Sequence, residues 1–168
     1  VVKRGTTLGT DNHVHEGAIL GGAPQHLQTP EKMGGLVIGC HNTIRENATI
    51  HCGLHAGEET IIGDHNLVMV NVHIAHDCRI GNHVVLINNS LVAGHVVVHD
   101  RVYMSAAAAI QQFRRIGKLA AIGGHGRAVK DVPPYVTLDG FTNGVVGLNT
   151  VGMRRSGMSN EEILQVKQ

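Results

Sequence analysis

The sequence predicts an all-β protein, a parallel β-helix in which short strands wind around a narrow core. Three observations carry this prediction: an apolar residue recurs at every sixth position, aromatic residues make up only 2% of the 168 residues, and 22 residues are glycine. A globular core of this size normally uses aromatic side chains to fill volume. A core of Val, Ile, Leu and Ala therefore indicates an interior of small and uniform width.

The six-residue period is continuous through the middle of the chain. It runs through Ile62, Val68, Ile74, Ile80, Leu86, Val92, Val98, Met104, Ile110, Ile116 and Ile122. The same phase occurs upstream at Leu8, Val14, Leu20, Ile38, Ile44 and Ile50. Neither a helix face nor endless strand alternation has this period. Short strands joined by tight corners do, and three such hexapeptide repeats make one triangular coil.

Several segments depart from the repeat. Residues 21–35 contain two prolines and four glycines and are predicted to form a loop at a corner, and residues 51–59 are predicted to form a shorter one. Arg114 places a charge at an inward position, which indicates either a distorted coil or a side chain that leaves at a corner. The segment DVPPYV ends the regular repeat, and Ser159 and Glu162 then have the spacing of a capping box.

We therefore expect a β-helix domain over residues 1–150 and the start of a C-terminal α-helical region over 151–168. The chain starts without methionine and ends soon after a helix begins, so we expect a sequence trimmed at both ends.

Composition argues against several classes of function. The formal net charge of +1 provides no overall attraction to nucleic acid or to a membrane surface. No apolar segment approaches the ~20 residues that a membrane span needs, and no signal peptide is visible. The three cysteines are odd in number and are not spaced as pairs. A reduced, cytoplasmic protein is the simplest interpretation.

The segment NVHIAHDC, residues 71–78, places polar groups at one predicted corner. Ile74 points inward, so His73 faces outward and His76 lies at the corner that follows, with Asp77 beside it. Neither histidine is expected to be a core residue. An imidazole whose tautomer is set by a neighbouring carboxylate is suited to act as a general base.

Stacking of the coils extends this corner into a column. Residues eighteen apart should lie about 4.8 Å apart, which places Gly94 and then Gln112 above His76. By the same step His95 lies above Asp77. A glycine in such a column leaves its backbone N–H open to a ligand, as an oxyanion hole requires.

The histidines have two other possible interpretations, an exposed polar corner and a metal site. Corner positions are often polar, and 13 histidines make some chance stacking expected. A zinc site would need three or four convergent ligands, for which His73, His76 and His95 are the candidates. Leu91 stacks above His73 and cannot be a ligand, and Cys78 points inward. We therefore predict neither a metal site nor a cofactor.

The segments NVHIAHDC, LVAGHV, IQQF, DVPPYV and GLNTVGMRRSG resemble, in order, those of the acyl-[acyl carrier protein]–UDP-N-acetylglucosamine O-acyltransferases, which begin lipid A synthesis. The resemblance covers nearly the whole chain. It implies a left-handed β-helix and a homotrimer with sites between subunits. It also implies transfer of a (3-hydroxy)acyl chain from acyl carrier protein to the 3-hydroxyl of UDP-N-acetylglucosamine, with no cofactor.

The same resemblance implies roles for individual residues. His76 would be the general base, Asp77 would orient it, and the Gly94 N–H would stabilise the thioester oxyanion. The substrate-binding residues would be His26, Gln28, His73, His95, Gln111, Gln112, Gly124, Asn149 and Arg155. Within that set, Asn149 and Arg155 correspond to the nucleotide and phosphate site. Gly124 falls where the family measures acyl length, unless it only supplies a corner with positive φ.

The chain departs from the family pattern mainly around the acceptor. His26 and Gln28 replace an aspartate and a lysine that are usual in sugar binding. Gln111 and Thr142 replace histidines, and Val151 replaces a glutamate. The base and the oxyanion donor are retained, so the departures bear on the identity of the acceptor and not on the reaction class. N-acylation of a UDP-amino sugar is an alternative. A zinc-dependent hydratase and a non-catalytic scaffold are more distant alternatives.

Overall fold

The computed structural model describes residues 1–167, which form twenty β-strands followed by two α-helices. The strands build three sheets, named here after the first strand of each. The β1 face contains β1 (Thr6–Leu8), β4 (Gly35–Ile38), β7 (Glu59–Ile62), β10 (Arg79–Ile80), β13 (Val97–Val98) and β16 (Arg115–Ile116). The β2 face contains β2 (His13–Val14), β5 (Thr43–Ile44), β8 (Leu67–Val68), β11 (Val85–Leu86), β14 (Tyr103–Met104), β17 (Ala121–Ile122), β19 (Val136–Leu138) and β20 (Val145–Leu148). The β3 face contains β3 (Ile19–Gly22), β6 (Thr49–His51), β9 (His73–Ile74), β12 (Leu91–Val92), β15 (Ala109–Ile110) and β18 (Arg127–Ala128).

The three faces form a triangular prism, because from β1 to β18 consecutive strands fall on successive faces and each pairs in parallel with the strand one coil away. The predicted parallel β-helix is thus confirmed. Every repeat residue from Ile62 to Ile122 is at most 3% exposed and belongs to one continuous core. Leu8 and Val14, on the first coil, are the exceptions upstream, at 39% and 37% exposure.

Tight corners join the strands, and each places one residue in the left-handed region of backbone space. On the β3 face, His95 follows β12 with a φ of 60°, and Phe113 follows β15 with a φ of 64°. The His95 N–H donates to the carbonyl of His76, and the Phe113 N–H donates to that of Gly94. Backbone hydrogen bonds therefore connect these corners to the corners of the coil below.

Two loops leave the prism near this corner and are tied to each other. Residues 23–34 connect β3 to β4, and residues 52–58 connect β6 to β7. The Gly34 N–H donates to the carbonyl of Gly53, and the Gly53 N–H donates to that of Gly35, both at 2.9 Å. A side chain at Gly53 would collide with the backbone carbonyl of Glu58, so this close approach requires glycine.

Arg114 does not distort the coil. Its neighbour Arg115 pairs in register with Val97, and the strand continues regularly. The end of the guanidinium reaches the corner, where Nη1 lies 3.9 Å from Oδ1 of Asp131, while Nε stays buried with no hydrogen-bond partner among residues 1–167. Of the two possibilities that the sequence indicates, the side chain escapes.

The β-helix is followed by an antiparallel hairpin of β19 and β20 and by two helices, α1 (Thr150–Arg155) and α2 (Asn160–Val166). The predicted capping box is confirmed: the Ser159 hydroxyl accepts from the Glu162 N–H, and the Glu162 carboxylate accepts from the Ser159 N–H. Within residues 1–167, neither helix has the length and apolarity that crossing a bilayer would need.

Candidate active site

The corner between β9 and β10 holds a histidine–carboxylate pair. Nδ1 of His76 lies 2.7 Å from Oδ2 of Asp77. A carboxylate only accepts hydrogen bonds, so Nδ1 carries the shared proton, and in the neutral form of the ring Nε2 would present a lone pair. The side chains are 11% and 9% exposed. His76 lies outside the hydrophobic core, as expected, yet it is buried, which sequence spacing alone did not indicate.

Two further imidazoles enclose the His76 ring. The ring of His95 meets it edge-on, with centroids 5.1 Å apart, and Nε2 of His95 lies 3.8 Å from Oδ2 of Asp77. His26, on the loop of residues 23–34, meets it edge-on from another direction at 5.8 Å. Nδ1 of His26 accepts a hydrogen bond from the Gln28 N–H, which fixes the exposed loop locally. The loop and the next coil together explain why His76 is buried.

Gly94 lies against the ring of His76. A β-carbon on Gly94 would lie 2.9 Å from Cε1 and 3.0 Å from Nε2 of that ring, so a side chain would displace the imidazole. Within residues 1–167, the Gly94 N–H donates to no acceptor. The predicted column of imidazole and bare backbone is therefore present, and it places a free donor beside the basic nitrogen.

The upper part of the site is more open. Phe113 stacks on His95 with parallel rings 4.6 Å apart and remains 58% exposed. Gln111 and Gln112 are exposed in the same coil. Their side chains are accessible from solvent.

A buried histidine below the site was missed by sequence reasoning. His51 is 7% exposed, and its ring lies edge-on to that of His73, with centroids 4.9 Å apart. Burial, followed by the charge of His73, lowers the pKa of His51 to about 4. Burial also lowers the pKa of His73, whose Nδ1 lies 2.9 Å from the Thr49 hydroxyl. Both rings are therefore neutral near pH 7.

The residues assigned to the nucleotide lie on a different face. Asn149 and Arg155 line a pocket of about 600 Å³ between α1 and the β2 face, together with Arg101, Tyr103 and Val151. The Asn149 side chain caps α1 by accepting from the Gly152 N–H and also donates to the Leu119 carbonyl. A single chain does not bring this pocket together with His76, which lies between the β3 and β1 faces.

Gly124 lies at a third place, the corner between β17 and β18. It is His125 that has positive φ at this corner, at 58°. The interpretation that Gly124 serves to supply positive φ is therefore wrong. A β-carbon on Gly124 would make only ordinary contacts of 3.6 Å with Ala106 and Ser105, so the backbone does not require glycine here.

The residues whose ligand atoms converge at this corner differ from the set His73, His76 and His95 that the sequence suggests. Ligand atoms of His76, Asp77 and His95 lie within 4.8 Å of one another. His73 is not part of this group, and its Nδ1 lies 2.9 Å from the Thr49 hydroxyl. Asp77 takes the place of His73 in the only such group at this corner of the described chain.

The chain is similar to proteins of one enzyme family in both sequence and fold. Residues 131–168 match the family model described as UDP N-acetylglucosamine O-acyltransferase, domain 2. The chain is 42% identical to the acyl-[acyl-carrier-protein]–UDP-N-acetylglucosamine O-acyltransferase of Agrobacterium fabrum, over 99% of this chain and 62% of that protein. The solved UDP-N-acetylglucosamine acyltransferase of Francisella novicida is 33% identical, with a TM-score of 0.93 over 99% of this chain and 68% of that one. The Bacteroides fragilis structure is 38% identical, with a TM-score of 0.95 over 98% and 65%.

The fold and the corner site together define a hexapeptide-repeat protein with a left-handed parallel β-helix, and the handedness implied by the resemblance is confirmed by these superpositions. The chain belongs to the UDP-N-acetylglucosamine O-acyltransferase family. It spans about 62% of the length of the first of its curated relatives.

Proposed function

We propose that the protein is an acyltransferase that moves a (3-hydroxy)acyl chain from acyl carrier protein to the 3-hydroxyl of UDP-N-acetylglucosamine, the first step of lipid A synthesis, in the cytoplasm. The observation that carries the proposal is the 2.7 Å contact between His76 Nδ1 and Asp77, with the free Gly94 N–H beside the ring. The names of the relatives support the donor and the acceptor.

In this mechanism the sugar hydroxyl is the nucleophile. Nε2 of His76 takes its proton while the hydroxyl oxygen bonds to the thioester carbon, and the Gly94 N–H donates to the oxygen that becomes negative. The C–S bond then breaks, and the proton passes from His76 to the departing pantetheine sulfur. Asp77 holds the imidazole in the required tautomer throughout.

No covalent enzyme intermediate is needed. The cysteine nearest the pair, Cys78, is a buried thiol whose pKa is raised by burial to about 12, and its Sγ–H donates to the Ala93 carbonyl. A thiol in this state is a poor nucleophile, because the thiolate is the reactive form. His76 therefore acts as a base toward the substrate and not toward a protein side chain.

We further propose that the active protein is a homotrimer in which the His76 corner of one copy faces the Asn149 and Arg155 pocket of the next. What supports this is that the two groups lie on different faces of one chain, whereas one nucleotide sugar must reach both. Cyclic symmetry is the usual way to repeat such a heterologous contact and close it. His95, His73, His26, Gln28, Gln111 and Gln112 would then surround the sugar and the pantetheine.

The experiment is mass spectrometry of the products formed by the full-length protein. Acyl carrier protein thioesters are offered together with UDP-N-acetylglucosamine or with the corresponding 3-amino sugar, and the His76→Asn protein serves as the blank. We expect an acylated UDP-N-acetylglucosamine whose ester is cleaved by mild base. An acyl product formed from the amino sugar alone would show N-acylation instead, and no acylated sugar with either acceptor would refute the proposal.

A further inference from the structure

The backbone N–H of Asp77 has a different kind of hydrogen-bond acceptor from those of the other corner residues. Above the first coil, every other non-glycine corner residue of residues 1–167 with positive φ donates its N–H to a backbone carbonyl of the coil below. These residues are His41, Asn47, His65, Asn71, His83, Asn89, His95, Arg101, Ala107, Phe113, Leu119, His125 and Tyr135. Asp77, with φ of 59°, instead donates to the side-chain hydroxyl of Thr60 at 2.8 Å.

The loop of residues 52–58 explains the exception. His95 donates to the carbonyl of His76, nineteen residues earlier, and the matching acceptor for Asp77 would be the carbonyl of Glu58. That carbonyl accepts from the Gly35 N–H at 2.9 Å and thus ties the end of the loop of residues 52–58 to the first residue of β4. The corner that holds the acid–base pair therefore lacks its ordinary backbone acceptor.

Thr60 supplies the replacement from inside the prism. It lies on β7 at an inward position and is fully buried, with its hydroxyl oxygen accepting from Asp77. The loop of residues 52–58 holds the side chain of Asp77, because the Leu54 N–H donates to both carboxylate oxygens of Asp77 at 3.2 Å. The backbone and the carboxylate of Asp77 are thus fixed by two different groups.

We infer that Thr60 is a positioning residue for the reaction: it holds Asp77 in the left-handed conformation from which the carboxylate reaches Nδ1 of His76. This inference rests on the proposed function, since it assigns Thr60 to the same acid–base pair. L-residues adopt this conformation at a steric cost, so it persists only where surrounding bonds hold it. Thr60 contacts none of the reacting atoms and does not line the Asn149 and Arg155 pocket. It acts through Asp77.

The test uses three variants of the full-length protein. Thr60→Val keeps the shape of the side chain and removes the acceptor, whereas Thr60→Ser keeps the acceptor. Ser90→Ala is the matched control, because Ser90 is also fully buried at an inward position, and its hydroxyl has no hydrogen-bond partner among the described residues. The measurements are kcat and KM, and the proton NMR resonance of the His76 Nδ1–H that is bonded to Asp77.

We expect Thr60→Val to lower kcat by about 10–100-fold, as small misplacements of catalytic groups do, with KM for the nucleotide sugar within about twofold. The Nδ1–H resonance should be lost or shifted in this variant. Thr60→Ser and Ser90→Ala should keep both the rate and the resonance. A Thr60→Val protein that only melts at lower temperature, with unchanged kcat and resonance, would overturn the inference. The resonance is measurable without turnover, so an inactive wild-type protein would refute the proposed function while leaving Thr60 testable.

Discussion

The ring of His76 occupies the space that a side chain on Gly94 would need, at 2.9 Å from the position of its β-carbon. Glycine at position 94 therefore leaves room for the imidazole of His76 and keeps a backbone N–H free beside it. We expect Gly94→Ala to push the ring away from Asp77 and to lower kcat by at least about 100-fold. Circular dichroism should show an unchanged β-helix, because the backbone of Gly94 does not have positive φ. Gly144→Ala, in the turn between β19 and β20 where a β-carbon would meet only the Thr142 hydroxyl at 3.4 Å, is the control; equal kinetic losses in both variants would contradict this account.

Acyl-chain selection should depend on Gly124. The structure leaves room for a β-carbon there and imposes no left-handed conformation, so larger side chains can be introduced without backbone strain. We predict that Gly124→Met shifts the preferred donor to a chain several carbons shorter, because each excluded methylene is worth about 0.8 kcal/mol. Competition between acyl carrier protein thioesters of different length measures this. An unaltered chain preference in a folded Gly124→Met protein would remove Gly124 from acyl selection.

His51 should make the protein sensitive to acid. Burial holds its pKa at about 4, below the ordinary value of 6.5, so the unfolded chain binds its proton first as pH falls. The free energy of unfolding should therefore decline between about pH 6.5 and pH 4, by at most about 3 kcal/mol from this residue. His51→Gln should show a shallower decline in denaturant titrations. His13→Gln, at an exposed strand position, is the control, and identical slopes for His51→Gln and wild type would argue against the buried neutral ring.

Docking of the acidic acyl carrier protein should involve the basic corner near β16. Arg115 and Lys118 are exposed there, while the charge of Arg114 is partly offset by Asp131. We predict that Arg115→Glu or Lys118→Glu raises KM for the carrier-bound donor at low salt and that the difference shrinks as salt screens it. KM for the nucleotide sugar should stay constant. An unchanged donor KM at low ionic strength would exclude this surface.

The repeat predicts the site where the eighteen-residue step is unbroken and fails where it is interrupted. Gly94 above His76 and His95 above Asp77 follow from counting, and the structure brings them together. The loop of residues 52–58 adds six residues to one coil, so Thr49 pairs with His73, twenty-four residues later. Counting by eighteen therefore could not place His51 beside His73.

The burial of His76 and the support of Asp77 depend on contacts that no local pattern encodes. His26 reaches His76 from a loop fifty residues earlier, and Leu54 reaches Asp77 from the second loop. In the sequence, Thr60 is one more small residue at an inward position. Its hydrogen bond to Asp77 is recognised only in the structure, where this corner lacks the usual backbone acceptor. Sequence periodicity thus locates the acid–base pair but not the groups that hold it.

His76, and not its neighbour His95, is expected to be the base. The most direct measurement compares kcat of the His76→Ala and His95→Ala proteins, each assayed at full length with circular dichroism to verify the fold and His13→Ala as the control. We predict a loss on the order of 10³-fold or more for His76→Ala, at the upper part of the range for general bases, and a smaller loss for His95→Ala. A larger loss for His95→Ala than for His76→Ala would contradict the account and assign the proton transfer to the other ring.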